Sequence, residues 1–374
     1  MFRLRRKSVT WGSHSPFVPN QVSRCRRVSS DTGRRLLLLA FAAWVQSCHA
    51  EPGLAPGSRV GSPALAANVG ALPMPEPQPS PRPVDAVVVV AVDGVRWQDV
   101  FHGVDAELLP KESRPTAMAP YVPNLMRWFR DDGVLIGDAA RGDDVEASGP
   151  EYVSLPGYEE ILSGRPPTCR DNRCLEAGQP TLFDELRGHS AVLVSSWELI
   201  PRVAAHGPLV ASAGRGAAHP SLAEGALGRL AAEGSRAAPW PGGDGYRPDA
   251  HTASLALETF DVIRPRFLFV GLGDTDEHAH HGDYLGYLSA LRVADAFIGA
   301  LVAKASQREA QGERIAIFVT TDHGRAANFR DHGGAYPESR RVWLGARGAA
   351  LLSAGPRTAR LSDLAKSARA ALGL

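Results

Sequence analysis

The feature that most restricts the fold is a run of β-branched residues, Val87-Val88-Val89-Val90-Ala91-Val92, that stops on Asp93-Gly94. A strand with one wet face alternates apolar and polar residues, whereas an unbroken apolar run is buried on both faces and belongs at the centre of a parallel sheet. Ala191–Ser195, Phe267–Leu272, Ile315–Thr320 and residues 341–344 are further short runs of this kind. Between them, apolar spacing predicts helices over 122–129, 181–186, 253–263 and 284–303. The last sets Tyr284, Tyr287, Leu288, Leu291, Ala294, Phe297, Ile298 and Leu301 at three- and four-residue steps, one apolar stripe. A final helix, with Ser362 read as its N-cap, runs towards Leu372. Strands alternating with helices predict an α/β fold: a doubly wound, mostly parallel sheet flanked by helices, in a single catalytic domain. Its reactive residues are expected just past the C-terminal ends of the strands.

The first fifty residues read as an address. Residues 36–45 are apolar and follow Arg34-Arg35, the length of a signal-peptide core and too short to span a bilayer. Two exits are legible: cleavage after Ala50, or a lipobox-like Val45-Gln46-Ser47-Cys48 with a lipid anchor at Cys48. The basic stretch before this segment is long for a leader, which suggests a true start near Val28. Residues 51–84, rich in Pro, Gly, Ala and Ser, read as a tether, leaving 85–374 as the catalytic domain. An exported protein, periplasmic or envelope-anchored, is expected. Cys25 and Cys48 belong to the leader, and the remaining cysteines, Cys169 and Cys174, in an oxidising compartment form a local disulfide most simply.

Charge narrows the partners. Residues 1–35 hold nine basic side chains against Asp31, so residues 51–374 carry a net charge of −7. A mildly acidic domain argues against nucleic acid, where affinity rests on neutralising phosphates. No run of 18 apolar residues occurs, so a membrane-spanning enzyme is not expected.

Polar clusters stand where the strands end. Asp93 follows the first. Asp274-Thr275-Asp276-Glu277-His278-Ala279-His280-His281 follows Phe267–Leu272, and Asp322-His323 follows Ile315–Thr320. His332 lies in a Gly-rich loop beyond. Taken singly, an Asp after a strand is a turn former or helix cap. Together, carboxylates and imidazoles at several strand ends suit zinc or another borderline divalent metal. Ser154 precedes Pro156-Gly157 and a helix-like stretch, and reads either as an ordinary N-cap or as a nucleophile activated by a helix N-terminus.

In this order, these residues resemble the alkaline phosphatase superfamily, over nearly all of 85–374. Asp93 with the residues after it looks like the superfamily's first metal-binding strand end. Ser154, with Pro156 and Gly164 downstream, is similar to the nucleophile segment of its phosphodiesterase group. Asp276, His280 and Gly282 resemble the Asp-x-x-x-His-x-Gly element of its mutases, and Thr321-Asp322-His323-Gly324 with His332-Gly333 completes the set. The resemblance implies two divalent metal ions, zinc expected. One would be held by Asp276, His280 and His332, the other by Asp93, Asp322, His323 and the Ser154 oxygen. The register Asp274/His278 keeps the same step but fits the following glycine less well. Asn172, between the two cysteines, stands roughly where the family has an asparagine that binds a phosphoryl oxygen.

The implied chemistry is in-line displacement at phosphorus between two cations about 4 Å apart, with Ser154 forming a phosphoserine that water then resolves. A small phosphorylated substrate is expected, cleaved as a monoester or diester. Tyr158 stands where formylglycine sulfatases carry Arg, and only 122 positions separate Ser154 from Asp276, too few for the inserted domain of a mutase. Monoesterases often add a cation, and Arg96, Arg165, Arg170 and Arg173 are available. Two competing readings are an envelope metalloprotein without turnover and a transferase that passes the phosphoryl group to an alcohol. The oligomeric state is not legible.

Overall fold

The computed structural model describes residues 82–113, 121–187 and 191–374. These lie within one unit, Glu76–Leu374. The leader over 1–50 with its anchor at Cys48, and the tether up to residue 81, lie outside the described residues.

Nine strands occur among the described residues: β1 (Ala86–Val92), β2 (Val134–Ile136), β3 (Asp144–Glu146), β4 (Ala191–Ser195), β5 (Val210–Ala213), β6 (Phe267–Leu272), β7 (Ile315–Thr320), β8 (Leu344–Arg347) and β9 (Thr358–Arg360). Seven form one sheet in the order β2-β8-β7-β1-β6-β4-β5, while β3 and β9 make a separate parallel pair. Strands β7, β1, β6, β4 and β5 run parallel, and β8 and β2 close the sheet antiparallel at one edge.

The continuous apolar runs are explained by burial on both faces. Val88, Val90 and Val92 of β1 enter one core with the helices Asp249–Val262 and Tyr284–Glu309. Val87, Val89 and Ala91 enter a second core with Ser154–Ser163 and Asp363–Leu372. Each valine removed from water contributes about 1.5–3 kcal/mol, so polar residues are not tolerated on either face. The helix Tyr284–Glu309 is long and apolar enough to cross a membrane, yet its apolar stripe is spent on the first core.

The parallel register builds the site. Val92 pairs with Leu272 and Ala91 with Thr320, so β7, β1 and β6 end side by side. Residues following these three strands therefore meet above one edge of the sheet.

Several local expectations are corrected. β8 occupies Leu344–Arg347 rather than 341–344, because Arg341 and Val342 pair instead with Glu146 and Val145 of β3. Ser362 stands at the N-cap as expected, but its side chain makes no capping bond; Asp363 Oδ2 accepts the Arg360 N–H at 2.8 Å instead. The segment at 122–129 forms a short helix, Pro123–Leu125, that widens into a π-helical stretch, Met126–Asp131. The helix Gly225–Arg236 and strand β5 had no clear signature, since the first is dominated by Gly and Ala and the second is a short edge strand.

Candidate metal and nucleophile site

The buried carboxylates at the ends of β1 and β7 are each half satisfied. Asp93 Oδ2 accepts the Tyr158 hydroxyl at 3.0 Å, and Asp322 Oδ1 accepts the Gly94 N–H at 3.0 Å. Asp93 Oδ1 and Asp322 Oδ2 are buried with no hydrogen-bond partner. Both face His323 Nε2, at 3.3 and 3.4 Å, and Ser154 Oγ lies 3.4 Å from the same nitrogen. The other ring nitrogen, Nδ1, lies 2.9 Å from the Gly324 carbonyl. A proton on Nδ1 leaves Nε2 with a lone pair. With both carboxylates ionised, lone pairs on two carboxylate oxygens and an imidazole point at one another. Such a convergence is unfavourable alone and is the donor set a divalent cation requires.

Electrostatics agree. Burial, then the charge of Asp276, pushes Asp93 up to about 7, and burial with the neighbouring Asp93 and Asp276 raises Asp322 well above the usual carboxylate range. Burial lowers His323 to about 4 and, with His323 beside it, His332 to about 3. Both rings are therefore neutral at neutral pH, the state that ligates metal.

A second group lies alongside. Ligand atoms of Asp276, His323 and His332 gather within 4.8 Å of one another, as do those of Asp93, Asp322 and His323. His280 Nε2 is 2.9 Å from Asp276 Oδ2 and 3.1 Å from His332 Nε2. His332 Nδ1 is held at 3.1 Å by the carbonyl of Tyr152, a residue at φ 46°, where a side chain is rarely tolerated. Of the seven residues expected from the sequence to bind metal, five make up the two groups, with His323 common to both, while Ser154 lies beside His323 and His280 beside Asp276.

Asp274 and His278 are engaged elsewhere. Asp274 Oδ1 accepts the Tyr246 hydroxyl at 2.8 Å and the Asp249 N–H at 3.2 Å, and His278 Nδ1 pairs with Asp283 at 3.0 Å. The box that Asp249 and Asp274 form fixes the start of the helix Asp274–His280, whose next turn carries the Asp276 and His280 side chains.

Ser154 is the first residue of the helix Ser154–Ser163, with Val153 at the N-cap, so its hydroxyl is not spent as a cap. Asn172 Oδ1 accepts the Leu155 N–H at 2.9 Å, and Pro156 has no N–H to offer. The helix end is therefore less open to anions than its sequence suggests. Gly157 lets the helix lie against Asp322, because a Cβ there would meet the Asp322 backbone. Cys169 and Cys174 form a disulfide that closes the loop bearing Asn172.

The sequence reading missed Arg325. Its side chain is fully buried and donates through Nη1 to Asp276 Oδ1, through Nε to the Phe329 carbonyl and through Nη2 to the Arg330 carbonyl. Burial alone would raise Asp276, yet Arg325, His332 and the bond to His280 together hold it well below its usual range. Of the cations considered from sequence, Arg96 pairs with Asp99 and Asp105, Arg170 with Glu151 and Arg173 with Asp171. Arg325 could have been noticed two residues after His323. Tyr158, one turn after Ser154, was legible only as a departure from the sulfatase pattern.

Gly94 adopts φ +61°, and a Cβ on it would fall on Asp276 Oδ1 and Arg325 Nη1. Gly94→Ala is expected to destabilise the fold by about 1–3 kcal/mol and to displace Asp276. Thermal unfolding and metal titration of that variant check this; wild-type metal affinity would show that the contact yields freely.

Comparison with known proteins bears on the second half of the site. Residues 244–336 match the Metalloenzyme superfamily. The match spans that segment. It contains Asp276, His280, Asp322, His323 and His332. Solved structures to which the chain is similar include a protein in the alkaline phosphatase superfamily from Vibrio parahaemolyticus (14% identity, 78% of this chain and 67% of that one, TM-score 0.49). Phosphonoacetate hydrolase from Sinorhizobium meliloti is another (16%, 66% and 58%, TM-score 0.44), as is the lipoteichoic acid synthase LtaP from Listeria monocytogenes (8%, 78% and 72%, TM-score 0.48). The chain spans little more than half the length of the phosphonoacetate hydrolase. No curated protein matches the sequence. The family match falls on the metal-binding part of the resemblance read from the strand-end residues.

Proposed function

We propose that this protein is an exported, metal-dependent hydrolase of phosphate esters that acts through a covalent phosphoserine at Ser154. The observation that carries the reading is the meeting of Ser154 Oγ with two unpartnered carboxylate oxygens around His323 Nε2. One cation would be held by Asp93, Asp322, His323 and Ser154, a second by Asp276, His280 and His332, with zinc favoured by the mixed carboxylate and imidazole set. When bound, the cations supply Lewis acidity and stabilise charge on the attacking and leaving oxygens.

The chain's own groups do the rest. Ser154 Oγ attacks phosphorus, an O–P bond forms, the bond to the leaving alcohol breaks, and that alcohol departs with the proton Ser154 gave up. Water then displaces Ser154, releasing the phosphate product and restoring the hydroxyl. Tyr158 keeps Asp93 turned so that Oδ1 faces His323 Nε2. Asn172 offers its amide N–H groups to a phosphoryl oxygen while its carbonyl holds the helix start. The substrate is a small phosphorylated molecule met outside the cytoplasm, and a lipid anchor at Cys48 would keep the enzyme at the envelope.

The test is elemental analysis of the purified protein together with hydrolysis of aryl phosphate, aryl phosphodiester and aryl sulfate. About two zinc ions per chain and chelator-sensitive cleavage of a phosphate ester are expected. Bound metal without turnover of any of the three would overturn the hydrolase reading.

A further inference from the structure

Two consecutive glutamates on the helix Ser154–Ser163 take no part in the chemistry above, yet both are buried with neither ion-paired among the described residues. Neighbouring helical residues point about 100° apart, so the two carboxylates reach different loops. Glu160 Oε1 accepts the Ser148 hydroxyl at 2.6 Å and the Ser362 N–H at 3.1 Å, while Oε2 accepts the Ser148 N–H at 2.9 Å. That bond anchors the upstream loop leading to Tyr152 and Ser154. Glu159 faces the other way. Its Oε1 accepts the Thr168 hydroxyl at 2.6 Å and the Gly178 N–H at 3.1 Å, and its Oε2 accepts the N–H groups of Thr168 and Cys169 at 2.9 and 2.8 Å.

A buried carboxylate without a counter-ion is costly, so its retention asks for a reason. Every partner of Glu159 is a donor, and three are backbone N–H groups that cannot reverse. A carboxylate only accepts, which matches this set, whereas a glutamine amide would set its NH₂ against donors. The loop held in this way starts at Thr168 and Cys169, closes through the disulfide to Cys174, and carries Asn172 to the Leu155 N–H. Glu159, on the helix, is thus tied back to the helix's own first turn through that loop.

We propose that Glu159 is a positioning residue for the nucleophile: it holds the Cys169–Cys174 loop in the register that sets Asn172 against the first turn after Ser154. The proposal rests on the phosphate-ester reading for its kinetic consequences, but its structural claim is read without turnover. The test compares Glu159→Gln, Asn172→Ala and the double variant in the metal-loaded full chain. Glu159→Gln is expected to lower kcat about tenfold with little change in KM, at unchanged metal content. In the Asn172→Ala background the same change is expected to add almost nothing, because the group it positions is gone. Hydrogen exchange at the Leu155 amide is expected to speed up about tenfold in Glu159→Gln, as its acceptor loosens. Multiplicative losses in the double variant, or an unchanged Leu155 amide, would overturn the proposal. Should Glu159→Gln fail to fold, Thr168→Val removes one bond to Glu159 and is expected to show the same coupling to Asn172 on a smaller scale. A wild-type protein without phosphate-ester turnover would count against the proposed function alone, since the Leu155 exchange still decides the positioning claim.

Discussion

Ser154→Ala is expected to abolish turnover, by at least about 10³-fold in kcat, and to leave metal binding close to wild type. The size follows from the role. Without the hydroxyl no covalent intermediate forms, and the surrounding residues can only bind the ester and polarise it. Metal retention follows from the ligand count: Asp93, Asp322 and His323 still face the same point after Oγ is removed. The change is also structurally mild, because Ser154 is not the cap of its helix and the Leu155 N–H keeps its bond to Asn172. The measurements are kcat, metal stoichiometry and trapping of a phosphorylated protein with labelled substrate. Full activity of the alanine variant would remove Ser154 from the mechanism. Loss of activity together with loss of metal would make the serine a ligand whose oxygen the site cannot spare.

Chelation is expected to invert the stability ranking of wild type and Asp93→Asn. Stripped of metal, the wild-type site holds unpartnered carboxylate oxygens on Asp93 and Asp322 in a buried cluster. Burial and the charge of Asp276 raise Asp93 to about 7 in the folded state, against 3.8 for the free side chain. A raised carboxylate pKa means that the folded chain keeps a proton the unfolded chain has given up. Relative to asparagine, wild type is therefore undisturbed below about pH 4 and loses stability as pH climbs through 7, by on the order of 4 kcal/mol once both states are ionised. His323 and His332 titrate in the opposite sense at lower pH, and both are present in the two proteins. The metal-free asparagine variant should thus be the more stable at pH 8, and the two should converge towards pH 4. With metal bound the order reverses, because Asp93 becomes a ligand whose loss leaves one cation poorly held. Chemical unfolding of both proteins, with and without chelator, at pH 5 and pH 8 reads all of this. Equal stability of the two metal-free proteins at pH 8 would show that Asp93 is not strained in the apo site.

The central strands were legible because each is buried on both faces, which leaves an unbroken apolar run whatever its neighbours are. β1, β4, β6 and β7 fall where such runs predict them. The edge strands were harder, because a short strand at a sheet edge is specified by its partner more than by its own residues. β8 shows this: Arg341 and Val342 look like the start of a strand in the main sheet but bond to β3 instead.

The same division holds at the site. Which residue types gather there was decided along the chain, since parallel strands place whatever follows them above one sheet edge, and Asp93, Asp276 and Asp322 follow β1, β6 and β7. Which of two equally spaced Asp-His pairs turns inward was favoured along the chain only by the place of Gly282, and was decided on folding, when Tyr246 and Asp249 took Asp274 and left Asp276 to His280. Arg325 and Glu159 belong to that second category. Their neighbours in space are Asp276, 49 residues away, and Thr168, Cys169 and Gly178 across a closed loop. A local pattern records what a residue is and which way its strand or helix points it. The partner that satisfies a buried charge comes from another part of the chain, so only the packed tertiary structure names it.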